Sequence, residues 1–241
     1  VAGCGRVPLT MALGRVLLFG SGEVSPTAQP IYDDLLRRIA PPVRIAVLET
    51  PAGFQLNSAA VAEEVAAYLR AHLPNHTPLA TVVPARRRGT PLSPDHDAIL
   101  GPLLAADVVF LGPGSPTYAI RQLQGSLAWQ VVVGLLRTGR DLVLASAATV
   151  AASSWALPVY EIYKAGEDPH WVRGLDLWGM IGLSVVFVPH WNNHEGGAKH
   201  DTSRCFMGRS RFRELLALLP PGEVVVGIDE HTALSVEAAA G

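Results

Sequence analysis

The chain has 241 residues, of which 49% are hydrophobic and 17% are charged, and its formal net charge at pH 7 is −2. This balance excludes a strong positive field for nucleic acid, and no segment approaches the roughly 20 apolar residues of a membrane span. The two cysteines, Cys4 and Cys205, are too few for a disulfide framework. Because residues 1–12 show no hydrophobic secretory signal, we expect a cytoplasmic protein with a disordered N-terminal extension there.

The first half of the chain alternates short apolar, β-branched runs with helical patterns. Strands are predicted at residues 15–19, 44–48, 79–83 and 107–111. Helices are predicted at residues 26–39, 57–73 and 95–105, with a further helical stretch after Ser115. The arginine run 86–88 is predicted to be a solvated loop, with anion binding as the alternative.

The second half continues this alternation. A helix at 127–137 is followed by a strand at 141–145, and further strands are predicted at 184–188, 223–228 and 233–236. Strands that alternate with helices indicate βαβ units, whose right-handed crossovers place helices on both faces of a parallel sheet. The sequence therefore predicts a three-layer α/β/α fold with a mostly parallel sheet, in one domain that spans residues 13–241.

The loops that follow the predicted strands are the first candidates for a functional site, because ligands of open α/β sheets bind beside the carboxyl ends of the strands. These loops are 20–23, 50–53, 112–115, 146–149, 189–192 and 229–231. They carry serine, histidine and acidic residues, which are the types that a nucleophile, a general base and an orienting acid require. Acyl-transfer chemistry is therefore a candidate function.

Ser146 directly follows an apolar strand and precedes a run of small residues at 147–152. A serine on a tight strand-to-helix turn exposes its hydroxyl above the sheet, close to the free N–H groups of the helix. Together with an N–H from Gly112 or Gly114, such groups could bind an oxyanion. The alternative is that Ser146 only caps the helix, since serine is a favoured N-cap residue.

His190 follows the strand 184–188 and is the candidate general base. An acid at the end of the strand 223–228 could orient its imidazole, and Glu161 is the rival acid. Cys205 lacks a strand-to-turn context and is predicted to be a structural thiol rather than a nucleophile.

Two patterns in the sequence are compatible with a cofactor. His190 and His194, with Glu195, His200 and Asp201 nearby, could bind a metal, but the pattern is not H-E-x-x-H, and the glycines at 196 and 197 disfavour a helix that would present both histidines. The loop 20–23 resembles the start of a dinucleotide-binding fingerprint, yet a serine at 25 replaces the third glycine. We therefore expect no cofactor.

The order of motifs resembles the cyanophycinase and dipeptidase E family of serine peptidases, from about Gly14 to Val236. The motifs that carry the resemblance are Gly20-Ser-Gly-Glu23, Phe110-Leu-Gly-Pro-Gly-Ser115, Ala145-Ser-Ala-Ala-Thr149, Pro189-His190 and Gly227-Ile-Asp-Glu-His-Thr-Ala-Leu234. The last of these is the most specific. The resemblance implies the class I glutamine amidotransferase-like fold, which is flavodoxin-like in architecture.

The resemblance also implies roles for individual residues. Ser146 would be the nucleophile, His190 the general base and Glu230 the acid that orients it, with Glu161 as the fallback acid. The oxyanion hole would be formed by the N–H groups of Gly114 and Ala147. We expect substrate to be bound by the side chains of Glu23, Ser115, Asn192, Asn193 and Arg204.

Two features depart from the family pattern. Leu144 and Ala148 stand where the family has glycines on either side of the nucleophile, and a strained turn favours small residues there. In addition, the segment 192–209 has no counterpart that we can align.

The sequence therefore predicts an enzyme, a serine-type peptidase or amidase with a Ser-His-Glu triad that acts on a small peptide or amide substrate. Two alternatives stay open. The first is a catalytically silent protein on the same fold that binds a small molecule, and the second is a metal-dependent hydrolase that uses the loop from His190 to His200. We expect no nucleic-acid or membrane partner, and assembly as a homodimer is left open.

Overall fold

A computed structural model describes residues 13–237 of the chain. The expected extension at 1–12 and Cys4 lie outside the described residues. Within residues 13–237, no helix combines the length and the apolar character that crossing a membrane would need.

The centre of the molecule is a six-stranded, mostly parallel sheet. The strands of the described chain are β1 (Val16–Phe19), β2 (Arg44–Leu48), β3 (Leu79–Val83), β4 (Val108–Leu111), β5 (Asp141–Ala145), β6 (Trp155–Ala156), β7 (Val172–Arg173), β8 (Val185–Val188), β9 (Val224–Gly227) and β10 (Ala233–Val236). The central sheet has the strand order β10-β1-β5-β4-β2-β3, in which only β10 runs antiparallel. Two further pairs, β6 with β7 and β8 with β9, lie outside it.

The α-helices in the described part of the chain connect and cover these strands. They are α1 (Gln29–Leu36), α2 (Ser58–His72), α3 (Gly101–Leu104), α4 (Pro116–Leu123), α5 (Leu127–Arg137), α6 (Ala147–Ala151), α7 (Val159–Tyr163) and α8 (Gly208–Leu218).

Alternating side chains of the sheet enter two separate hydrophobic cores. Leu17 and Phe19 of β1 face the core that α1 and α2 cover, whereas Leu18 faces the core that α3, α5 and α6 cover. This alternation follows from the two-residue period of a strand, and burial on both faces explains the uniformly apolar strands. The predicted three-layer α/β/α fold with a mostly parallel sheet is confirmed.

Several elements differ from their prediction. The helix expected at 26–39 is a 3₁₀ turn at Pro26–Ala28 followed by α1, and β6, β7 and α7 were not predicted. The helix expected at 95–105 is only a 3₁₀ turn at Asp97–Ile99 followed by α3, because Gly101 and Pro102 favour a new helix start over continuation. Helix α8 was not predicted. The strand predicted at 223–228 pairs only with β8 and does not join the main sheet.

The register of the sheet brings the candidate loops together at one edge. Phe19 at the end of β1 pairs with Ala145 at the end of β5, and Leu111 at the end of β4 pairs with Leu144. The pair β8–β9 joins this edge through the His190 N–H, which donates to the Gly20 carbonyl at 3.2 Å. The loops after β1, β4, β5 and β8 therefore surround one site.

Candidate active site

Ser146 occupies a strained turn between β5 and α6. Its φ of +50° and ψ of −107° lie in a region that residues with a side chain rarely adopt. The sheet holds this backbone in place, since the Ser146 N–H donates to the Phe19 carbonyl at 3.3 Å. The hydroxyl makes no capping bond to α6 and instead lies 2.9 Å from Nε2 of His190.

The residues around this turn fit without the family glycines. The Leu144 side chain points away from the turn into the core, beside Leu18 and Leu142, and Ala148 is buried in the same core. Thr149 fixes the turn from below, because its hydroxyl lies within hydrogen-bond distance of the carbonyl oxygens of Phe19 (3.1 Å) and Leu144 (3.0 Å). The strand alternation therefore removes the steric conflict that Leu144 would otherwise cause.

His190 links the serine to a carboxylate. Its Nδ1 lies 2.8 Å from Oε1 of Glu230, on the opposite side of the ring from Ser146. Both side chains are largely but not completely buried, at 18% exposure for His190 and 19% for Glu230. His190 also has a positive φ of +51°, so strained backbone holds both the serine and the histidine.

Glu230 is held by two asparagines. Asn193 donates its side-chain N–H to Oε1 of Glu230 at 2.9 Å, and Oδ1 of Asn192 accepts the Glu230 backbone N–H at 2.8 Å. Burial raises the pKa of this carboxyl, but the hydrogen bonds from Asn193 and His190 and the charges of His190 and His231 outweigh burial and bring the pKa below its usual value. Glu230 is therefore an ionised hydrogen-bond acceptor at neutral pH.

The rival acid, Glu161, lies elsewhere. It sits on α7, and its Oε1 accepts a hydrogen bond from the Thr117 hydroxyl at 2.5 Å. Its Oε2 is buried and has no hydrogen-bond partner within residues 13–237. The acid that contacts His190 is thus Glu230, and Glu161 joins α7 to α4.

Glycines in the loops 20–23 and 112–115 allow neighbouring backbone segments to pack closely against them. A Cβ on Gly20 would lie 2.1 Å from the Asp229 carbonyl oxygen, so glycine there admits the segment that carries Glu230. A Cβ on Gly114 would lie 2.0 Å from the Pro51 carbonyl oxygen, and Gly114 has a φ of +149°. Close backbone packing therefore requires glycine at positions 20 and 114.

A cavity of about 230 Å³ opens beside the serine. Its lining includes Ser146, His190, Gly114 and Ala147, the residues that the sequence suggested for catalysis and for the oxyanion hole. The Ala147 N–H belongs to the first turn of α6, where N–H groups have no acceptor within the helix. The remaining walls are formed by Pro116, Val150, Val159, Tyr160, Tyr163, Lys164, Pro189, Glu195, Cys205 and Phe206.

One wall of the cavity is a left-handed turn formed by Arg204, Cys205 and Phe206. Their φ values of +59°, +57° and +68° place three consecutive non-glycine residues in the left-handed region, at a cost of roughly 1–2 kcal/mol each. The Cys205 N–H donates to the His190 carbonyl at 3.1 Å, and the Phe206 ring lies 5.7 Å from the imidazole between centroids. The left-handed turn thus supports His190 while it shapes the cavity.

The Cys205 thiol is neutral. Burial, together with the nearby charge of Glu230, raises its pKa to about 12. A thiol that holds its proton is a poor nucleophile, and the side chain is buried at 3% exposure. Cys205 therefore contributes an apolar surface to the cavity.

None of the five side chains suggested for substrate binding is among the residues that line the cavity. Ser115 accepts the Tyr118 N–H as the cap of α4, and Arg204 stacks on Trp191 with its guanidinium 3.8 Å from the ring centroid. Asn192 and Asn193 bind Glu230, as described above.

Glu23, the fifth of these residues, is buried at 8% exposure. Burial raises the pKa of its carboxyl. A hydrogen bond from its own backbone N–H and the charge of His190 lower the pKa, but by less than burial raises it. Glu23 is not among the residues that line the cavity.

The polar residues considered as metal ligands do not converge. His200 stacks against Tyr163, and Asp201 accepts hydrogen bonds from Ser203 and from the Arg209 N–H, which lower its pKa to about 2. Across residues 13–237, no three His, Cys, Asp or Glu side chains are arranged to hold one ion. The loop from His190 to His200 thus offers no ligand set in this part of the chain.

Several lining residues were missed by sequence reasoning. Tyr160 and Tyr163 lie three apart on the short helix α7, a spacing that places two side chains on one face, but the sequence does not indicate that this face turns toward Ser146. The left-handed turn carries no glycine or asparagine that would have predicted positive φ values.

Trp191 fixes the approach of β9 to the site. A Cβ on Gly227 would lie 2.3 Å from the Trp191 ring, so this ring covers the end of β9 directly. The ring also contacts Phe212 of α8 edge-on, with centroids 5.3 Å apart. The aromatic side chain after His190 thereby holds together the histidine loop, β9 and α8.

Two solved structures share this fold. A peptidase from an acI-B1 Actinobacterium superposes with a TM-score of 0.71 and 20% sequence identity over 94% of this chain and 84% of its own. A peptidase E-like protein from Listeria monocytogenes EGD-e superposes with a TM-score of 0.59 and 13% identity over 94% and 95%. No protein-family model and no curated protein matches the sequence. The chain is therefore similar in fold to peptidases, at identities that show the fold alone.

Proposed function

We propose that the protein is a serine-type hydrolase that cleaves peptide or amide bonds. The observation that carries this proposal is the strained turn at Ser146, whose hydroxyl lies 2.9 Å from Nε2 of His190 while Nδ1 of the same ring lies 2.8 Å from Glu230. Nucleophile, base and orienting acid in this order form the arrangement of serine hydrolases on unrelated folds. The similarity in fold to two peptidases supports the same class of reaction.

In the first half of the reaction, Oγ of Ser146 attacks the substrate carbonyl carbon and its proton passes to Nε2 of His190. The tetrahedral intermediate collapses when the C–N bond breaks, and His190 returns the proton to the leaving amine. Water then attacks the acyl-enzyme by the same route, with His190 again as base, and releases the acid product and free Ser146.

Glu230 and the oxyanion donors supply the electrostatic part of catalysis. The ionised Glu230 keeps the proton of His190 on Nδ1 and stabilises the imidazolium that forms. Asn193 and Asn192 hold Glu230 in place, so the carboxylate needs no reorganisation during the reaction. The N–H groups of Gly114 and Ala147 are the donors proposed for the oxyanion.

Labelling with an alkyl fluorophosphonate, followed by intact-mass analysis, tests the activated serine. Wild-type protein should gain one adduct, Ser146→Ala should gain none, and His190→Ala should react more slowly by about 10²–10⁴-fold, the usual contribution of a general base. Ser210→Ala, at an exposed serine on α8, is the matched control and should label like wild type.

A wild-type protein that does not label while folded would contradict the proposal, as would an adduct that persists in Ser146→Ala. Such a result would favour the alternative of a catalytically silent binding protein. Retained binding of peptides by Ser146→Ala, without turnover in wild type, would then identify that alternative.

A further inference from the structure

The cavity beside Ser146 has apolar walls, with charge confined to exposed positions. Its walls include the buried Val150 and the half-buried Val159, Tyr163 and Phe206, together with the neutral thiol of Cys205. The two charged lining residues, Lys164 and Glu195, are both exposed and of opposite sign. The interior therefore offers apolar contact, and its mouth has no net charge from these two groups.

A carboxylate side chain would find no dedicated partner inside this cavity. Within residues 13–237, no arginine lines the cavity, and Arg204 stacks on Trp191 and donates from Nη1 to the Trp191 carbonyl at 2.9 Å. The Lys164 ammonium lies over the Tyr163 ring, 5.0 Å from its centroid. Placing an ionised side chain against Val150 and a neutral thiol would cost desolvation without a hydrogen bond in return.

The apolar surface continues outside the mouth. Tyr160 contacts Phe54 with ring centroids 6.3 Å apart, and Phe54 contacts Tyr118 at 5.4 Å. Phe54 is 47% exposed and Tyr160 is 38% exposed. Clustered exposed aromatic rings next to a cavity are typical of a surface that binds an apolar group.

The position of the cavity relative to His190 indicates which part of a substrate it receives. The leaving group of a serine hydrolase lies beside the histidine, because the histidine must protonate it. The oxyanion faces the N–H groups of Gly114 and Ala147, and the acyl substituent takes the remaining direction from the carbonyl carbon, away from the imidazole. The cavity walls formed by Pro116 of α4, Val150 of α6 and Val159 of α7 belong to elements other than the histidine loop.

We propose that this cavity is a specificity pocket for a bulky apolar side chain, aromatic or leucine-like, on the acyl side of the scissile bond. Its volume of about 230 Å³ is below the roughly 300–1,000 Å³ of cavities that enclose drug-sized ligands, which suits a single side chain. This inference rests on the proposed function, since it assigns the acyl side from the roles of Ser146 and His190. Tyr163 and Val159, both on α7, are the specificity-determining residues.

The test uses diphenyl phosphonates that carry a phenylalanine, leucine, alanine or aspartate side chain next to phosphorus. Each forms a bond from phosphorus to Oγ of Ser146, releases phenol with the serine proton, and is counted by intact mass. We expect the phenylalanine or leucine probe to react about 10–200-fold faster than the alanine probe, the usual discrimination of an apolar pocket, and the aspartate probe to be slowest.

Variants of the walls test the assignment without depending on absolute rates. The ratio of phenylalanine to alanine probe rates should fall toward one in Tyr163→Ala, and it should invert in Val159→Phe, where the new ring fills the cavity. Leu216→Ala, at an exposed leucine on α8, should keep the wild-type ratio.

Labelling by the alkyl fluorophosphonate distinguishes failure of the pocket assignment from failure of the proposed hydrolase function. Labelling of wild type by the fluorophosphonate, with an aspartate probe fastest or no preference among the four, would overturn the pocket assignment and leave the proposed hydrolase standing. Absence of fluorophosphonate labelling would overturn the proposed function and the pocket with it. A wild-type preference for the apolar probes that persists unchanged in both Tyr163→Ala and Val159→Phe would also overturn the assignment.

Discussion

The two sides of the cavity beside Ser146 satisfy their polar groups in different ways. On the His190 side, the serine hydroxyl, both ring nitrogens and Oε1 of Glu230 lie in one continuous chain of hydrogen bonds. On the α7 side, Oε2 of Glu161 is buried with no partner within residues 13–237, and the thiol of Cys205 keeps its proton.

This difference separates chemistry from selectivity. A fully satisfied polar network is rigid, because any change leaves a buried group without its partner. The apolar wall carries no such constraint, so its side chains can change size at the cost of packing alone. We therefore expect substitutions on the His190 side to affect the rate for every substrate, and those on the α7 side to affect which substrates react.

The largest expected effect is a difference in kcat between variants of the two acids, Glu230 and Glu161. Glu230→Gln should lower kcat by about 10⁴-fold, because the amide no longer keeps the His190 proton on Nδ1. Glu161→Gln should lower it by less than about tenfold, since this side chain contacts Thr117 and not His190. Steady-state kinetics on one amide substrate measures kcat for both variants. Equal losses of kcat would contradict the distinction between the His190 side and the α7 side of the cavity.

A smaller effect is expected at the proposed oxyanion loop. Gly114→Ala places a methyl group where the Pro51 carbonyl lies, so the loop must move and carry its N–H away, with an expected loss of about 10²–10³-fold in kcat. Gly134→Ala is the control, since a Cβ there meets nothing within 4 Å on helix α5. This control should keep full activity and gain about 0.8–1.0 kcal/mol in free energy of unfolding by urea.

A kcat for Gly114→Ala within twofold of wild type, in folded protein, would remove Gly114 from the catalytic arrangement. The circular-dichroism spectrum of the variant serves to exclude simple unfolding.

The smallest effect concerns Glu23 and the pH dependence of stability. Burial raises the pKa of this carboxyl in the folded protein. The unfolded chain ionises near the ordinary value of about 4.3, so the contribution of Glu23 to stability is fully present below that pH and is lost as pH rises through the raised pKa. Glu23→Gln should therefore gain stability relative to wild type between pH 4 and pH 7, as followed by urea midpoints.

Glu64→Gln, at an exposed position of α2, controls for the loss of one negative charge. A stability difference between Glu23→Gln and wild type that stays constant across this range would show that the carboxyl has the same pKa in the folded and unfolded states, and would contradict the raised pKa.

The regular elements could be predicted because their signals are local. The apolar strands at 44–48 and 141–145 and the helix at 127–137 have the predicted bounds, since burial on both faces of a sheet and one-sided burial of a helix each leave a period in the sequence. Ser146 and His190 could be singled out because each lies within two residues of a strand end, where ligands of α/β sheets bind. The choice of Glu230 as the acid depended on the family resemblance of the segment 227–234.

The rest of the site depends on tertiary contacts that leave no such period. The left-handed turn at 204–206 is maintained by hydrogen bonds to His190 and Trp191, which only the folded chain brings near. Asn193 was expected to bind substrate, whereas its side chain is committed to Glu230, because a polar residue in a loop carries no mark of the direction in which it points.

Because Gly227 and Trp191 are in contact, substitutions at these two positions are coupled in evolution. If Gly227 were replaced by a larger residue, the new side chain would clash with the Trp191 ring unless a smaller residue had already replaced the tryptophan. If the tryptophan were replaced first, a gap would open under the histidine loop. The same holds for an engineer who grafts this site onto another scaffold, because β9 and Trp191 would have to be transferred together. The position of His190 thus depends in part on Gly227, which lies 37 positions further along the chain.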